Sequence, residues 1–323
     1  MRAPGFWARD GLVPRLLDPL GRLYAAATAR RVRGKAARMP VPVICVGNLT
    51  AGGTGKTPLA TALVERLAAR GARAHVVSRG YGGRLEGPVR VDPSRHSAAE
   101  VGDEPLLLAA FAPVWVAKDR QAGAQEAAAD GAEAIVLDDG FQSPRPARDL
   151  QIVVIDAEAG FGNGRVIPAG PLREPVGAGL RRAHLAAVIG PPAARAAFLA
   201  RHDLPVPVLE AELRPLETGM DWDGTRVLAF AGIGRPSKFF ATLEGLGADV
   251  AGRIALGDHQ PLGPALLDRI WREAERLGAQ PVCTEKDAVR LPPSLRGRVL
   301  VLPVRLASDD WSPLDAALDR LPL

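Results

Sequence analysis

Cysteine is nearly absent from the chain. Only Cys45 and Cys283 occur in 323 residues, each within an apolar, strand-like run. Two distant thiols cannot build a metal cluster or a disulfide framework, so both read as buried thiols of a reducing compartment. Long apolar runs are missing too, since no stretch reaches the roughly 18 residues needed to span a bilayer. A secretory leader is not expected. Ala25-Ala26-Ala27 imitates a cleavage site, but Asp18 and Arg22 interrupt any apolar core before it. There is no internal repeat and no low-complexity tract beyond alanine-rich helices.

Most of the chain also lacks a net positive charge, although the whole carries a net +5. Residues 1–40 hold nine Lys and Arg against Asp10 and Asp18, a net of +7. The remainder carries 32 basic and 34 acidic residues, a net of −2. A nucleic-acid-binding surface on the body is therefore not expected. The composition, 47% apolar and 24% charged, is that of a globular protein able to bury one large core or two smaller ones.

The basic N-terminus has a pattern of its own. Leu12, Val13, Leu16, Leu17, Leu20, Leu23, Tyr24 and Ala27 fall on one face of a helix, with Arg15, Asp18 and Arg22 opposite. Pro14 suits a first turn, and Pro19 predicts a kink. With the basic cluster from Arg30 to Arg38, this suits a helix lying in a membrane interface beside anionic lipid. A helix docked on the protein's own core gives the same stripe, and the sequence leaves both open.

Beyond it, strands and helices alternate in α/β fashion. Strands are expected at 41–47, 73–78, 113–117, 133–138, 150–156, 185–189 and 206–212, and helices at 57–70, 104–111, 119–130 and 192–202. The stretch 157–183 carries six glycines and three prolines and reads as a long loop, a kind that is usually functional. A turn around Gly219 to Gly224 precedes strand 226–231, helix 236–247, strand 249–256, helix 264–278 and strands 281–284 and 298–304.

The apolar run Val41 to Val46 leads into Thr50-Ala51-Gly52-Gly53-Thr54-Gly55-Lys56-Thr57. This is the layout of a phosphate-binding P-loop: a buried strand, a glycine turn whose N–H groups wrap phosphate oxygens, and a helix N-terminus. Lys56 is placed to reach the β- and γ-phosphates and Thr57 to ligate Mg²⁺. Thr50 stands where the usual loop has its first glycine. Further on, Ala134 to Leu137 runs into Asp138 and Asp139, an apolar strand ending in acid where one carboxylate holds Mg²⁺.

Asp103 and Glu104 precede Pro105 and an apolar helical run. Asp103 can cap that helix, accept a proton from an attacking hydroxyl, or do both. Of five histidines, His75, His96, His184 and His202 lack polar company. His259 sits beside Asp258 on a loop of the second α/β run and suits either a surface role or a catalytic one. Arg79, Arg120 and Arg173 fall on loops at strand ends, where ligands of α/β sheets bind.

Taken in order, GNLTAGGTGKTP at 47–58, SRGYGG at 78–83, GDEP at 102–105, DDGFQ at 138–142, PAGPLREP at 168–175, DH at 258–259 and TEKDAV at 284–289 resemble the lipid A 4′-kinase family over nearly the whole chain. Thr50 fits that family's P-loop. Ser143 and Gln260 depart from it, standing where histidine is common. The resemblance implies a P-loop NTPase-like, mostly parallel α/β sheet flanked by helices, with a second smaller α/β lobe. It divides the chain into a membrane-associating segment 1–38, a kinase domain 39–221 and a lobe 222–323. It implies transfer of the ATP γ-phosphoryl to the 4′-hydroxyl of a tetraacylated glucosamine disaccharide 1-phosphate. It further implies a peripheral enzyme on the cytoplasmic face of the inner membrane, whose partners are the acylated lipid and the anionic surface. No nucleic acid and no obligate protein partner are implied.

On this reading Asp103 deprotonates the sugar, His259 supports it and Lys56 offsets phosphoryl charge. Thr57, Asp138, Asp139 and Glu174 serve the metal, and Arg79, Glu104, Arg120, Gln142 and Arg173 face the substrates. Other classes fit less well. Partitioning ATPases often carry lysine where this chain has Ala51, and Thr284 to Asp287 is out of order and spacing for a guanine-binding element. A non-catalytic lipid-binding module would not need Lys56, Thr57 and Asp138 together.

Overall fold

A computed structural model describes residues 4–323. A 3₁₀ turn, Gly5–Ala8, and α1, Leu12–Val32, come first. Then follow β1 Val43–Asn48, α2 Lys56–Ala69, β2 Ala74–Ser78, β3 Val89–Arg90, α3 Ala98–Val101, α4 Asp103–Leu108, β4 Val114–Val116 and α5 Arg120–Ala129. The chain continues through β5 Ala134–Asp138, β6 Leu150–Asp156, α6 Val176–Leu180, β7 Leu185–Ile189, α7 Pro192–Leu199 and β8 Val208–Pro215. A second run holds β9 Arg226–Ala231, α8 Pro236–Gly245, β10 Asp249–Ala255, α9 Pro264–Leu277, β11 Gln280–Thr284, α10 Glu285–Ala288, α11 Pro293–Arg296 and β12 Leu300–Leu302. The chain ends with β13 Val304–Ala307 and α12 Ser312–Leu318.

Nine strands form one sheet in the order β13-β8-β7-β6-β1-β5-β2-β4-β3. All neighbours are parallel except the two edge strands, β13 on β8 and β3 on β4. β1 is central and buried along its whole length. Ile44 and Val46 enter one core, Val43 and Cys45 the other, as the two-residue period of a strand requires. Helices cover both faces, so strands such as β5 and β7 read as unbroken apolar runs. The crossover from β1 runs one way, to β2, and that from its neighbour β6 runs the other way, to β7, which makes the carboxyl ends of β1 and β6 the topological switch point of the sheet.

The second sheet is four-stranded and parallel, in the order β10-β9-β11-β12, with its own two apolar layers. The strand expected at 298–304 is in fact two. β12 closes the small sheet, and β13 returns to pair antiparallel with β8, Val304 opposite Pro215. Residues 304–323 thus join the large sheet rather than the 222–323 grouping. Leu306, Leu314 and Leu318 supply the apolar contact that draws them back, and Arg66 of α2 and Arg70 at its C-terminal cap hold Asp315.

α1 also corrects the expectation. It is one continuous helix with Pro19 inside it. It docks by a narrow face, Pro14, Gly21 and Thr28, which recurs every seven residues. A Cβ on Gly21 would lie 2.8 Å from the Val166 carbonyl oxygen, so only glycine permits this approach. The leucine stripe points elsewhere: Leu12 and Leu16 are each 79% exposed and Leu23 69%. Arg165 fastens the helix from the loop side, pairing with Asp10 at 3.1 Å and Asp18 at 2.7 Å.

Candidate active site

The P-loop leaves β1 at Asn48 and re-enters regular structure at Lys56, the first residue of α2. Gly55 makes the turn possible. Its φ is +92°, and a Cβ there would meet Ile189 at 2.8 Å. The start of the loop is stapled from outside. Thr50 bridges Leu172, the Ala51 N–H donates to the Pro171 carbonyl at 2.7 Å, and the Arg173 N–H donates to the Leu49 carbonyl at 2.7 Å. The long 157–183 stretch is therefore the brace of the P-loop, and its other side carries α1.

Around this turn the strand ends gather charge. Lys56 Nζ lies 3.7 Å from Asp139 Oδ1. Arg173 Nη1 donates to Asp139 Oδ1 at 2.9 Å, and Arg120 Nη2 donates to the Asp139 backbone oxygen at 2.7 Å. Asp139 holds a left-handed φ of +52°, uncommon for a non-glycine residue and often found at functional sites. Burial opposes its charge, but Lys56, Arg173 and Arg120 keep its carboxyl below the ordinary value.

Asp138, one residue earlier, is different. It is buried, its Oδ2 accepts from Ser78 Oγ at 3.3 Å, and its Oδ1 has no protein partner. Burial first, then Glu104 and Asp139, push its carboxyl up to about 7. An orphaned, desolvated carboxylate oxygen beside a P-loop is a natural cation ligand. Among the described residues no three His, Cys, Asp or Glu side chains form a metal cluster. A cation here would rely on Asp138, the Thr57 hydroxyl and phosphate oxygens, the donor set Mg²⁺ uses with nucleotides.

Glu174 sits less well in the metal role expected of it. Arg182 grips both of its oxygens, at 2.8 and 2.9 Å, and Gln142 Nε2 donates to Oε1 at 3.0 Å. The same Gln142 nitrogen donates to the Asn48 backbone oxygen at 2.9 Å. These contacts make Glu174 and Gln142 a buried strut between the brace and the end of β1. Arg79 is exposed at the end of β2 and makes no ion pair among the described residues, while Arg120 is half-buried, and burial pulls its guanidinium below the usual value. A phosphate would restore the solvation Arg120 has lost, and Arg79 is free to meet one from the solvent side.

The second group comes from two elements far apart in sequence. Gly102 takes the cap position of α4, so Asp103 is its first helical residue rather than its cap. Asp103 is buried and faces His259, whose Nδ1 lies 3.0 Å from Oδ1 and 3.1 Å from Oδ2. Burial acts against the Asp103 charge, and His259, Lys286 and Arg290 outweigh it, holding the carboxyl below its ordinary value. His259 is itself left-handed, φ +57°, and its N–H donates to the Gly232 carbonyl at 3.2 Å. Glu104 is met by Lys286 Nζ at 3.0 Å.

Sequence reasoning missed Asn48, Tyr81, Lys286 and Arg290. The Asn48 side chain donates to the Gly52 carbonyl at 3.3 Å, and its signal was a polar residue ending a wholly apolar strand. Tyr81 sets its ring edge-on to His259 with centroids 5.3 Å apart. Lys286 lies within the TEKDAV stretch and Arg290, one turn on, directly follows it. Thr284 caps α10, its hydroxyl accepting from the Asp287 N–H.

The comparisons agree with this geometry. The family model for tetraacyldisaccharide-1-P 4′-kinase matches residues 13–322. A tetraacyldisaccharide 4′-kinase of Dinoroseobacter shibae is 62% identical, covering 99% of this chain and 98% of the relative. One of a Jannaschia species is 59% identical, covering 99% of each. A crystal structure of LpxK from Aquifex aeolicus in complex with ATP superposes with a TM-score of 0.77 at 26% identity, over 96% of this chain and 99% of that one. With the P-loop, the paired acids and the Asp103–His259 contact in place along a full-length match, the chain belongs to the tetraacyldisaccharide-1-P 4′-kinase family.

Proposed function

We propose that this kinase uses Asp103 as the base that takes the proton from the 4′-hydroxyl of its acylated disaccharide 1-phosphate, with ATP as the phosphoryl donor. The meeting of Asp103 and His259 across the two sheets is the observation that carries this reading. A buried carboxylate held ionised at a helix start can accept a proton. His259 donates its Nδ1–H to that carboxylate and orients it. Lys56, at the mouth of α2, neutralises charge on the transferring phosphoryl, and Arg120, Arg173 and Arg79 hold oxygens along the phosphate path. Asp138 and Thr57 would hold Mg²⁺, which would supply charge neutralisation on the phosphate oxygens. Asp139 locks Lys56 and Arg173 in place. Phosphoryl transfer needs little covalent help from protein, so positioned charge is the main catalytic contribution.

The outward face of α1 suits a substrate anchored in a bilayer. Leu12, Leu16, Leu20 and Leu23 are exposed, and Arg30, Arg31, Arg33, Lys35 and Arg38 follow on the surface. No described helix is long and apolar enough to cross a membrane. Burying each leucine in the interface contributes roughly 1.5–3 kcal/mol, and each nearby cation about 1 kcal/mol on an anionic surface. Because α1 rests on the loop that braces the P-loop, the membrane plane is held at a fixed distance from the phosphate path. The reading places the enzyme on the cytoplasmic face of the inner membrane.

Incubation of the acylated disaccharide 1-phosphate with ATP and Mg²⁺, followed by mass spectrometry, tests this reading. A gain of one phosphoryl group on the lipid, with ATP consumed only when lipid is present, is the expected result. Phosphate release that ignores the lipid would point instead to a membrane-targeted ATPase.

A further inference from the structure

His259 is held on both of its nitrogens. Nδ1 faces Asp103, and Nε2 faces Lys286 Nζ at 3.3 Å. Asp258 approaches Nε2 at 3.7 Å, beyond a hydrogen bond, and Tyr81 presents only its ring. Arg290 Nε stands 3.7 Å from Asp103 Oδ2 and is itself held by Asp287. Lys286 is anchored on its other side by Glu104 at 3.0 Å. It comes from a four-residue helix whose cap, Thr284, and buried Asp287 tie it to the end of β11.

We propose that Lys286 is a positioning residue of the kinase, fixing His259 in the tautomer that donates its Nδ1–H to Asp103. An ammonium has three donors and no acceptor. At 3.3 Å the His259 Nε2 must accept, so the ring is neutral and its proton sits on Nδ1, aimed at both Asp103 oxygens. Burial works against the Lys286 charge, but Glu104 and Asp103 more than offset it and keep the amine titrating above its ordinary value. A fixed cation beside Nε2 opposes formation of an imidazolium. Asp103 and Asp258 favour one, but an imidazolium would have to turn its Nε2–H towards the Lys286 ammonium at 3.3 Å, and Arg290 already shares the Asp103 charge. The pair Asp103–Glu104 on α4 thus receives a matched pair, His259 and Lys286, from the small sheet. The inference rests on the reading of Asp103 as base.

The test uses the full chain with Lys286→Met and Lys286→Arg. ¹⁵N shifts of the His259 ring, assigned by loss of the signal in His259→Gln, report the tautomer directly. In the native protein Nδ1 should be the protonated nitrogen. In Lys286→Met the ring should lose that single tautomer and take up a proton at higher pH, because the opposing charge is gone. The acid limb of kcat should then move to higher pH, and kcat should fall by roughly 10²-fold, as for a misplaced catalytic group, with KM for ATP little changed. Lys286→Arg should restore the native tautomer and most of kcat. If Lys286→Met does not fold, Lys286→Gln, which also lacks the charge, should show the same displaced acid limb. An unchanged ring tautomer and acid limb without the charge would overturn the proposal. Because the ring shifts are read without turnover, failure of Asp103 as base, seen as an active Asp103→Asn, is a separate outcome.

Discussion

At the large sheet, Lys56, Asp138 and Asp139 stand where adjacent parallel strands β1 and β5 end, and the same sheet supplies their neighbours. At the small sheet, His259 and Lys286 stand on a loop and on a four-residue helix, and their partners belong to the other sheet. The phosphate-handling groups are thus fixed by strand pairing in one continuous sheet. The groups proposed to handle the proton, Asp103 and His259, are aligned only while the two sheets are in contact. A P-loop can be built into one sheet because its ligand is the same for every turnover. A base acting on a bulky lipid headgroup, the role proposed for Asp103, benefits from assembly between two elements that can part to admit it.

The largest effects should come from the rigid side. Lys56→Ala should lower turnover by roughly 10²–10³-fold in a folded protein, read by transfer of the γ-phosphoryl to lipid. Near-normal transfer would remove the P-loop from the mechanism. Asp138→Asn should be as damaging to turnover but should stabilise the protein free of nucleotide and metal. The Asp138 carboxyl sits at about 7 when folded, against 3.8 ordinarily, so folding favours its protonated form. Its destabilisation grows as pH rises from about 4 and levels off above about 7. The melting temperature of the variant should therefore exceed that of the native protein most above pH 7, and the gap should close towards pH 4.

Across the gap, Asp103→Asn should cut kcat by roughly 10²–10⁴-fold and ATP binding far less. His259→Ala should act on the same step, so the double variant should lose less than the product of the two. Fully multiplicative losses would mean independent roles and would break the comparison. A milder probe is the second bridge between the sheets, where Arg235 meets Asp156 at 3.1 Å and Glu158 at 3.2 Å, and Lys238 also pairs with Glu158. These groups are partly exposed, so each pair is worth no more than about 1 kcal/mol. Arg235→Ala with Lys238→Ala should shift the denaturation midpoint slightly and kcat much less than Asp103→Asn. A loss of kcat equal to that of Asp103→Asn would place the alignment of the sheets in this bridge.

The smallest effect on the site should come from α1, whose two faces can be separated. Leu16→Gln with Leu20→Gln should weaken binding to anionic vesicles and leave the melting temperature nearly unchanged. Gly21→Leu should do the reverse, because its side chain has no room against Val166. Vesicle flotation and thermal unfolding on the same samples decide this, and lost stability in the Leu16→Gln, Leu20→Gln variant would show that the stripe is a docking face.

Much of this protein was legible in its sequence for local reasons. Strand-to-glycine-turn-to-helix at 43–57, the acid pair ending β5 and the alternation of elements depend on neighbours a few residues apart, and periodicity reads such neighbours directly. Even the N-terminal stripe was correct as a pattern. Where it pointed was not in the pattern, because Gly21 and Val166 had to meet before the docked face was defined. The same holds for the return of β13 to the large sheet, for Glu174 turning to Arg182, and for Lys286 reaching His259. Each is a pairing between residues that sequence spacing does not relate. Sequence alone determined the chemical groups and the local turns that present them. Only the tertiary structure decided which charges neutralise one another and which, like Asp138 Oδ1, are left open to a ligand. The reason is that ion pairing and desolvation depend on distances the chain acquires only when both sheets have formed.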